Sequence, residues 1–364
     1  MIYRAIGLMS GSSLDGLDIA FAEFHENAGK WNFEWRQCDC YGYTEEWKNR
    51  LSNATTLNAF DYQMLHVEYG HYLGRQVNRF MEQYDLHYQV GLVASHGHTS
   101  FHLPTRGMTA QLGDGAAIAA ETGLPVVTDL RAMDVALGGQ GAPIVPIGER
   151  LLLGHYQYFL NLGGIANISA NNDAYIAFDV CPANRVLNLL AAELGMEYDA
   201  EGAAAASGSV HWELLDQLNN QEYYRQPWPK SLANDFGTDT LYPLIKQAGL
   251  SVQDGLRTFA EHIAVQLTEA VRLLQKDHVP ADTEKLLVTG GGALNNFLIG
   301  LLREKLKDRN VELVLPDQNL IQYKEALIMG LIGVLRWREE INVLASVTGA
   351  RRDSVGGALW KPGN

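Results

Sequence analysis

The chain opens in the same way twice. Residues 2–8, a turn of small residues and residues 17–24 make one apolar run, turn and apolar run; residues 158–162, the turn Gly163-Gly164 and residues 165–169 make another. Two apolar runs joined by a tight turn of small residues are the pattern of a β-hairpin. Its repetition, in a chain of 364 residues, predicts two similar lobes rather than one core, since a typical domain holds roughly 100–150 residues. A third strand at 175–178 and a helix over 185–194 follow the second hairpin. Elsewhere strands at 90–94, 124–128 and 285–289 alternate with helices at 115–121, 294–306 and 325–338, and Asp114 stands where it can cap the first of these. Leu256, Phe259, Ile263, Leu267, Val271 and Leu274 recur at steps of three and four, which predicts a long amphipathic helix. Strands alternating with helices give an α/β fold of mixed sheets flanked by helices. The stretch 138–146 reads as a linker, so the expected lobes are 1–140 and 141–364.

Charge narrows the function. The net charge is −14 and no basic run exists, which excludes nucleic acid and anionic membrane as partners. An anionic ligand would have to be held locally, by backbone N–H groups, a few Arg or Lys and a cation. The 36 glycines are enriched over the roughly 7% average, and they fall in discrete turns. Cys38, Cys40 and Cys181 are too few and too irregular for a disulfide framework, as expected in a reducing compartment. The first residues enter a strand-like run at once, without a signal-peptide pattern. The longest apolar run, 326–335, falls short of the ~20 residues of a membrane span. The expectation is a cytoplasmic protein with a small-molecule ligand, a homodimer remaining open.

Three glycine turns suggest which ligand. The first is Ser10-Gly11-Ser12-Ser13-Leu14-Asp15-Gly16-Leu17-Asp18. Gly11 and Gly16 have P-loop spacing, but Leu17 and Asp18 replace the required Lys and Ser/Thr, and the turn joins two strands. A hydroxyl-rich hairpin can still offer N–H groups and hydroxyls to phosphate. Asp15 and Asp18 would repel phosphate unless Mg²⁺ lay between, its usual mode of binding; taken alone, the turn also fits an ordinary glycine hairpin with solvated aspartates. The second turn, Asn161-Leu162-Gly163-Gly164-Ile165-Ala166-Asn167, repeats the pattern. The third, Thr289-Gly290-Gly291-Gly292-Ala293-Leu294-Asn295, joins a strand to a helix but lacks the dinucleotide fingerprint. A helix start behind a glycine turn remains a good phosphate or ribose site. The order of the three resembles the nucleotide site of the actin, hexokinase and heat-shock ATPase superfamily. That resemblance implies two duplicated actin/hexokinase-like (ribonuclease H-like) lobes with an ATP cleft between them.

Longer motifs are more specific. Gly7-Leu8-Met9-Ser10-Gly11-Ser12-Ser13-Leu14-Asp15-Gly16, Ser95-His96-Gly97-His98-Thr99, Gln111-Leu112-Gly113-Asp114-Gly115-Ala116, Gly138-Gly139-Gln140-Gly141-Ala142-Pro143, Lys324-Glu325-Ala326 and Ser346-Val347-Thr348-Gly349-Ala350 resemble segments of the anhydro-N-acetylmuramic acid kinase family across essentially the whole chain. The resemblance implies an ATP-dependent kinase that opens the 1,6-anhydro bridge with water and phosphorylates O6, in murein recycling. It also implies ATP contacts at Gly11, Ser12, Ser13, Leu14, Asp15, Gly16, Leu17, Asp18, Asn161, Gly163, Gly164, Gly290, Gly291 and Gly292, and Mg²⁺ at Asp15 and Asp18. Ser95, His96, Gly97, Asp114, Arg131, Asp134 and Glu325 would bind the sugar, and Asp179 would be the general base. From the residues alone, Asp179 reads equally well as a turn or cap aspartate, and Arg131 with Asp134 as an ion pair within a loop.

Two stretches depart from the family pattern. Phe178-Asp179-Val180-Cys181-Pro182-Ala183-Asn184 stands where Phe-Asp-Thr-Gly-Pro-Gly-Asn is usual, and Lys230-Ser231-Leu232-Ala233-Asn234-Asp235 replaces Lys-Ser-Thr-Gly-Arg-Glu. The departures bear on sugar specificity. A same-fold kinase for another anhydro sugar or sugar acid, and a nonenzymatic ATP-binding switch, are the alternative readings.

Overall fold

A computed structural model describes residues 1–363 except Ser12, Asp173, Ala174, Pro229, Asn234 and Asp277. The chain forms two compact units, Met1–Gly154 with Tyr323–Asn364, and His155–Gln322. The division differs from a single cut near residue 140: the chain returns to the first unit at Tyr323. The reason is packing within that unit. A Cβ on Gly7 would lie 1.8 Å from the Ala326 carbonyl oxygen, so the helix from Tyr323 onward rests directly on the first strand.

In the first unit, β1 (Ile2–Ser10), β2 (Gly16–Asn27) and β3 (Lys30–Gly42) form an antiparallel meander. β4 (Leu92–Leu103) pairs parallel with β1, and β6 (Val126–Thr128) parallel with β4. Two strands are additions: β5 (Met108–Leu112) pairs with β4, and β12 (Ala358–Trp360) with β6. The centre of β1, from Ala5 to Leu8, is buried on both faces, as a strand must be when helices cover its sheet on both sides. One cover is the pair Ala59–Gln83 and Gly115–Thr122, whose Leu73, Val77, Phe80 and Ile118 pack with Ile6 and Leu8. Asp114 caps the shorter helix, its Oδ1 accepting from the Ala117 N–H at 2.7 Å.

The second unit repeats the plan with fewer parts. β7 (Tyr158–Leu162), β8 (Ile165–Ala170) and β9 (Ile176–Pro182) form the meander. β10 (Glu284–Thr289) and β11 (Val311–Val314) continue it in parallel, giving the order β11-β10-β7-β8-β9. The first sheet contains the matching order β6-β4-β1-β2-β3. A meander followed by two parallel strands, present twice, is the duplicated lobe that the paired hairpins predicted. The helix Val252–Leu274 buries Leu256, Phe259, Ile263, Leu267, Val271 and Leu274, so the periodic apolar stripe is its core face. Among the described residues no helix is long and apolar enough to cross a membrane.

Candidate active site

In the first unit the β1–β2 turn closes on its own polar groups. Leu14 adopts a left-handed conformation, and its N–H donates to the Gly11 carbonyl at 3.4 Å. Asp15 Oδ1 accepts from Ser13 Oγ at 2.7 Å and from the Gly16 N–H at 3.0 Å. Among the described residues a Cβ on Gly11 would meet Ser13 alone, its Oγ at 3.4 Å and its N at 4.0 Å, so packing there does not require this glycine. Gly16 differs, because a Cβ there would lie 2.6 Å from Cys40 Sγ. Leu17 belongs to the core, which leaves only its backbone for a ligand. Ser12 lies outside the described residues.

Asp18 faces Cys40 across the β2–β3 ladder. Burial, opposed by a hydrogen bond from the Cys40 thiol and reinforced by the charges of Asp15 and Glu325, pushes the Asp18 carboxyl up to about 6. Burial and the neighbouring Asp18 raise Cys40 to about 12, so its thiol stays a donor. A group of carboxylates whose charges oppose one another fits a hard cation with oxygen ligands such as Mg²⁺. It is no closed protein cage. Among the described residues the one tight trio of possible metal ligands is Glu23, His25 and Glu34, where Arg4 and Arg36 already pair with Glu23.

The residues assigned to the sugar fall into two kinds. His96 is buried and uses both ring nitrogens internally: Nε2 accepts from Arg131 Nε at 2.8 Å, and Nδ1 donates to the Gly97 carbonyl at 2.9 Å. Burial and then the Arg131 charge hold it neutral, lowered to about 3. Arg131 Nη1 donates to the Gly141 carbonyl at 2.7 Å; burial lowers this guanidinium to about 10, against the opposing charge of Glu325. Asp134 is 1% exposed, and both its oxygens are engaged, by the Gly141 N–H and by Thr348 Oγ1, each at 2.7 Å. Ser95 Oγ accepts from the Gly97 N–H, and Asp114 is the helix cap described above. His96, Asp134 and Ser95 therefore build the loop, while the charge of Glu325 acts on both Arg131 and Asp18.

A second polar chain lies beneath the turn. Tyr43 OH donates to Ser10 Oγ at 2.8 Å and sits 2.6 Å from Tyr69 OH, and Ser10 Oγ is 3.0 Å from His98 Nδ1. It fastens the last residue of β1 just before the glycine turn.

In the second unit the other two glycine turns meet. A Cβ on Gly290, whose φ is +83°, would lie 2.4 Å from Asn161 Oδ1, so only glycine fits. Asn184 Nδ2 donates to the Leu162 carbonyl at 2.9 Å, and the N–H groups of Ala183 and Asn184 reach Gly164 and Gly163. A Cβ on Gly163, Gly164 or Gly291 would make only ordinary contacts, at 3.5 Å or more.

Asp179 lies within β9, which runs on to Pro182, and pairs across the ladder with Asn167. Its N–H donates to the Lys230 carbonyl at 3.3 Å, its carbonyl accepts from Tyr223 OH at 2.6 Å, and its Oδ2 accepts from the Leu232 N–H at 2.9 Å. Among the described residues Oδ1 has no partner. Burial, countered by the Leu232 N–H, holds the carboxyl above its ordinary range. A raised carboxylate with one oxygen anchored and one open is the form of a general base.

The model of the family described as anhydro-N-acetylmuramic acid kinase matches residues 3–362. Proteins of that name are 32% identical in Hydrogenovibrio crunogenus, over 98% of both chains, and 36% identical in Rhizorhabdus wittichii, over 83% of this chain and 84% of that one. The chain belongs to the anhydro-N-acetylmuramic acid kinase family. A solved activator of 2-hydroxyisocaproyl-CoA dehydratase from Clostridium difficile, with bound ADPNP, aligns over 92% of this chain and 96% of that one, at 12% identity and a TM-score of 0.45.

Within this member of the anhydro-N-acetylmuramic acid kinase family, sequence reasoning missed Tyr223, Cys40, Tyr43 and Thr348. Each acts through a partner far along the chain, such as Thr348 on Asp134, 214 residues away. Cys40 carried a local signal, its place two residues from Cys38 on an alternating strand, and Thr348 another, its place in the family-like segment 346–350.

Proposed function

We propose that this chain uses ATP and water to open 1,6-anhydro-N-acetylmuramic acid and phosphorylate O6. The products are N-acetylmuramate 6-phosphate and ADP, made in the cytoplasm during murein recycling. The observation that carries the reading is Asp179, with Oδ2 fixed by Leu232 and Oδ1 open, in a chain that follows the family from residue 3 to residue 362.

The anhydro sugar has no free 6-hydroxyl. Oδ1 of Asp179 takes a proton from water, whose oxygen bonds to C1 as the C1–O6 bond breaks. O6 then takes the γ-phosphoryl group and ADP leaves. The glycine turns at Gly11 and at Gly163–Gly164 offer N–H groups to phosphate oxygens, and Gly290–Gly292 offers a helix start. Asp18, with Asp15, would hold Mg²⁺, which supplies neutralisation of phosphate charge. Arg131 and Glu325 are the charged groups for the lactyl carboxylate and the sugar hydroxyls.

Asp179→Asn keeps the side-chain size and removes the proton acceptor. Turnover of the anhydro sugar, followed by coupled ADP release, should fall on the order of 10²–10⁴-fold, with ATP still bound. Near wild-type turnover in the folded variant would remove Asp179 from the mechanism.

A further inference from the structure

Asp179 lies on the outermost strand of its sheet, and nothing in its own hairpin fixes the side facing away from Asn167. That side is held by three contacts closing into a ring. The Asp179 N–H donates to the Lys230 carbonyl at 3.3 Å, Lys230 Nζ donates to the Tyr223 carbonyl at 3.3 Å, and Tyr223 OH donates back to the Asp179 carbonyl at 2.6 Å. The Lys230 ammonium also lies over the Tyr223 ring, 4.6 Å from its centre, and 5.7 Å from that of Phe178. It is partly buried, and among the described residues no carboxylate pairs with it. Such a cation costs desolvation, recovered here from two ring faces and one carbonyl.

The ring is braced from behind. Asn219 Oδ1 accepts from Gln266 Nε2 at 2.9 Å and from His262 Nδ1 at 2.7 Å, which leaves His262 Nε2 to accept from Tyr224 OH at 2.9 Å. His262 is fully buried, and burial keeps it neutral, lowered to about 3. The neighbour of Tyr223 is thus tied to the core helix Val252–Leu274 through a histidine with one permitted tautomer.

We infer that Tyr223 and Lys230 are positioning residues for Asp179, a clamp that fixes the backbone of the base so that Oδ1 is aimed at the attacking water. The inference rests on the proposed function, because it needs Asp179 to be the base. It adds that the base depends on two side chains that touch no reacting atom.

The test is a double-mutant cycle on the full chain. Tyr223→Phe removes one hydroxyl and keeps the ring beneath Lys230. Misplacing a catalytic group by about 1 Å costs on the order of 100-fold, so kcat should fall by roughly 10–100-fold while KM for ATP and sugar stays within about twofold. Lys230→Met should do the same, and serves if Tyr223→Phe lowers the melting temperature too far. With Asp179→Asn already present, either change should alter kcat by less than about twofold, because residues acting as a unit are not additive. An equal loss in both backgrounds, or no loss in the first, overturns the clamp. Full activity of Asp179→Asn alone overturns the proposed function instead, so the two failures are told apart.

Discussion

Two aspartates make the same demand on pH. As the proposed base, Asp179 would act when ionised, so turnover should fall as pH drops through its raised pKa. In the proposed role of Mg²⁺ ligand Asp18 would have to be ionised, and burial pushes its carboxyl up to about 6. One proton then competes with the cation, so apparent Mg²⁺ affinity should weaken by about tenfold from pH 7 to pH 5. Mg²⁺ titration of turnover at the two pH values checks this; an unchanged requirement would exclude Asp18 as the ligand. The stability effect has the other sign. The folded pKa lies above the ordinary carboxyl value of 3.8, so the folded state binds this proton more tightly, and the contribution of Asp18 weakens as pH rises from about 4 to about 6. Asp18→Asn should therefore raise the thermal midpoint at pH 7.5, measured without Mg²⁺, while it abolishes the Mg²⁺ response. Asp179 stood out in the sequence only through the family resemblance. Its clamp did not, since Tyr223 lies 44 residues away and aromatic residues in a polar stretch carry no local sign of what they hold.

Among the elements, the glycine turns separate packing from function. Gly290 is required by its neighbours, whereas Gly11 has room for a side chain. Gly11→Val should therefore leave the unfolding free energy within about 0.5 kcal/mol, the usual range for substitutions away from packed groups. If phosphate approaches the backbone here, ATP affinity should fall by at least about tenfold, since only glycine lets the backbone come that close. Calorimetric titration on the folded variant decides it: unchanged affinity would take the nucleotide away from this turn. The hairpins and the helix Val252–Leu274 were legible because their periods are local. β3 was overlooked although Trp31, Phe33 and Trp35 alternate with Asn32, Glu34 and Arg36, because its partly buried aromatics read as a polar stretch. The helix Ala59–Gln83 was overlooked although Leu65, Tyr69, Leu73, Val77 and Phe80 recur on its buried face at steps of four and three, because polar residues stand between them.

For the molecule as a whole, the second unit is one continuous stretch and the first is assembled from two. Ending the chain at Gln322 removes the helix that covers Gly7, the strand β12, and the Thr348 partner of Asp134. Hydrogen exchange should then show protection lost in β1 and β4 but kept in β7, β8 and β10, because cooperative units open separately. Uniform loss across both sheets would contradict two separate cores. No local pattern near residue 323 announced this return, since the helix Gln318–Trp337 runs through it without a break. Within the first unit, Lys324 Nζ donates to Glu149 Oε1 at 2.8 Å, with side chains 6% and 2% exposed. For the descent of this sequence that pair is a ratchet. Replacing Glu149 strands the buried Lys324 ammonium and costs about 3–5 kcal/mol, a large share of the roughly 5–15 kcal/mol that keeps a domain folded. Replacing both with well-packed apolar residues costs little. A lineage that gives up Glu149 must give up Lys324 with it, and the two positions pass between generations as a single inherited character.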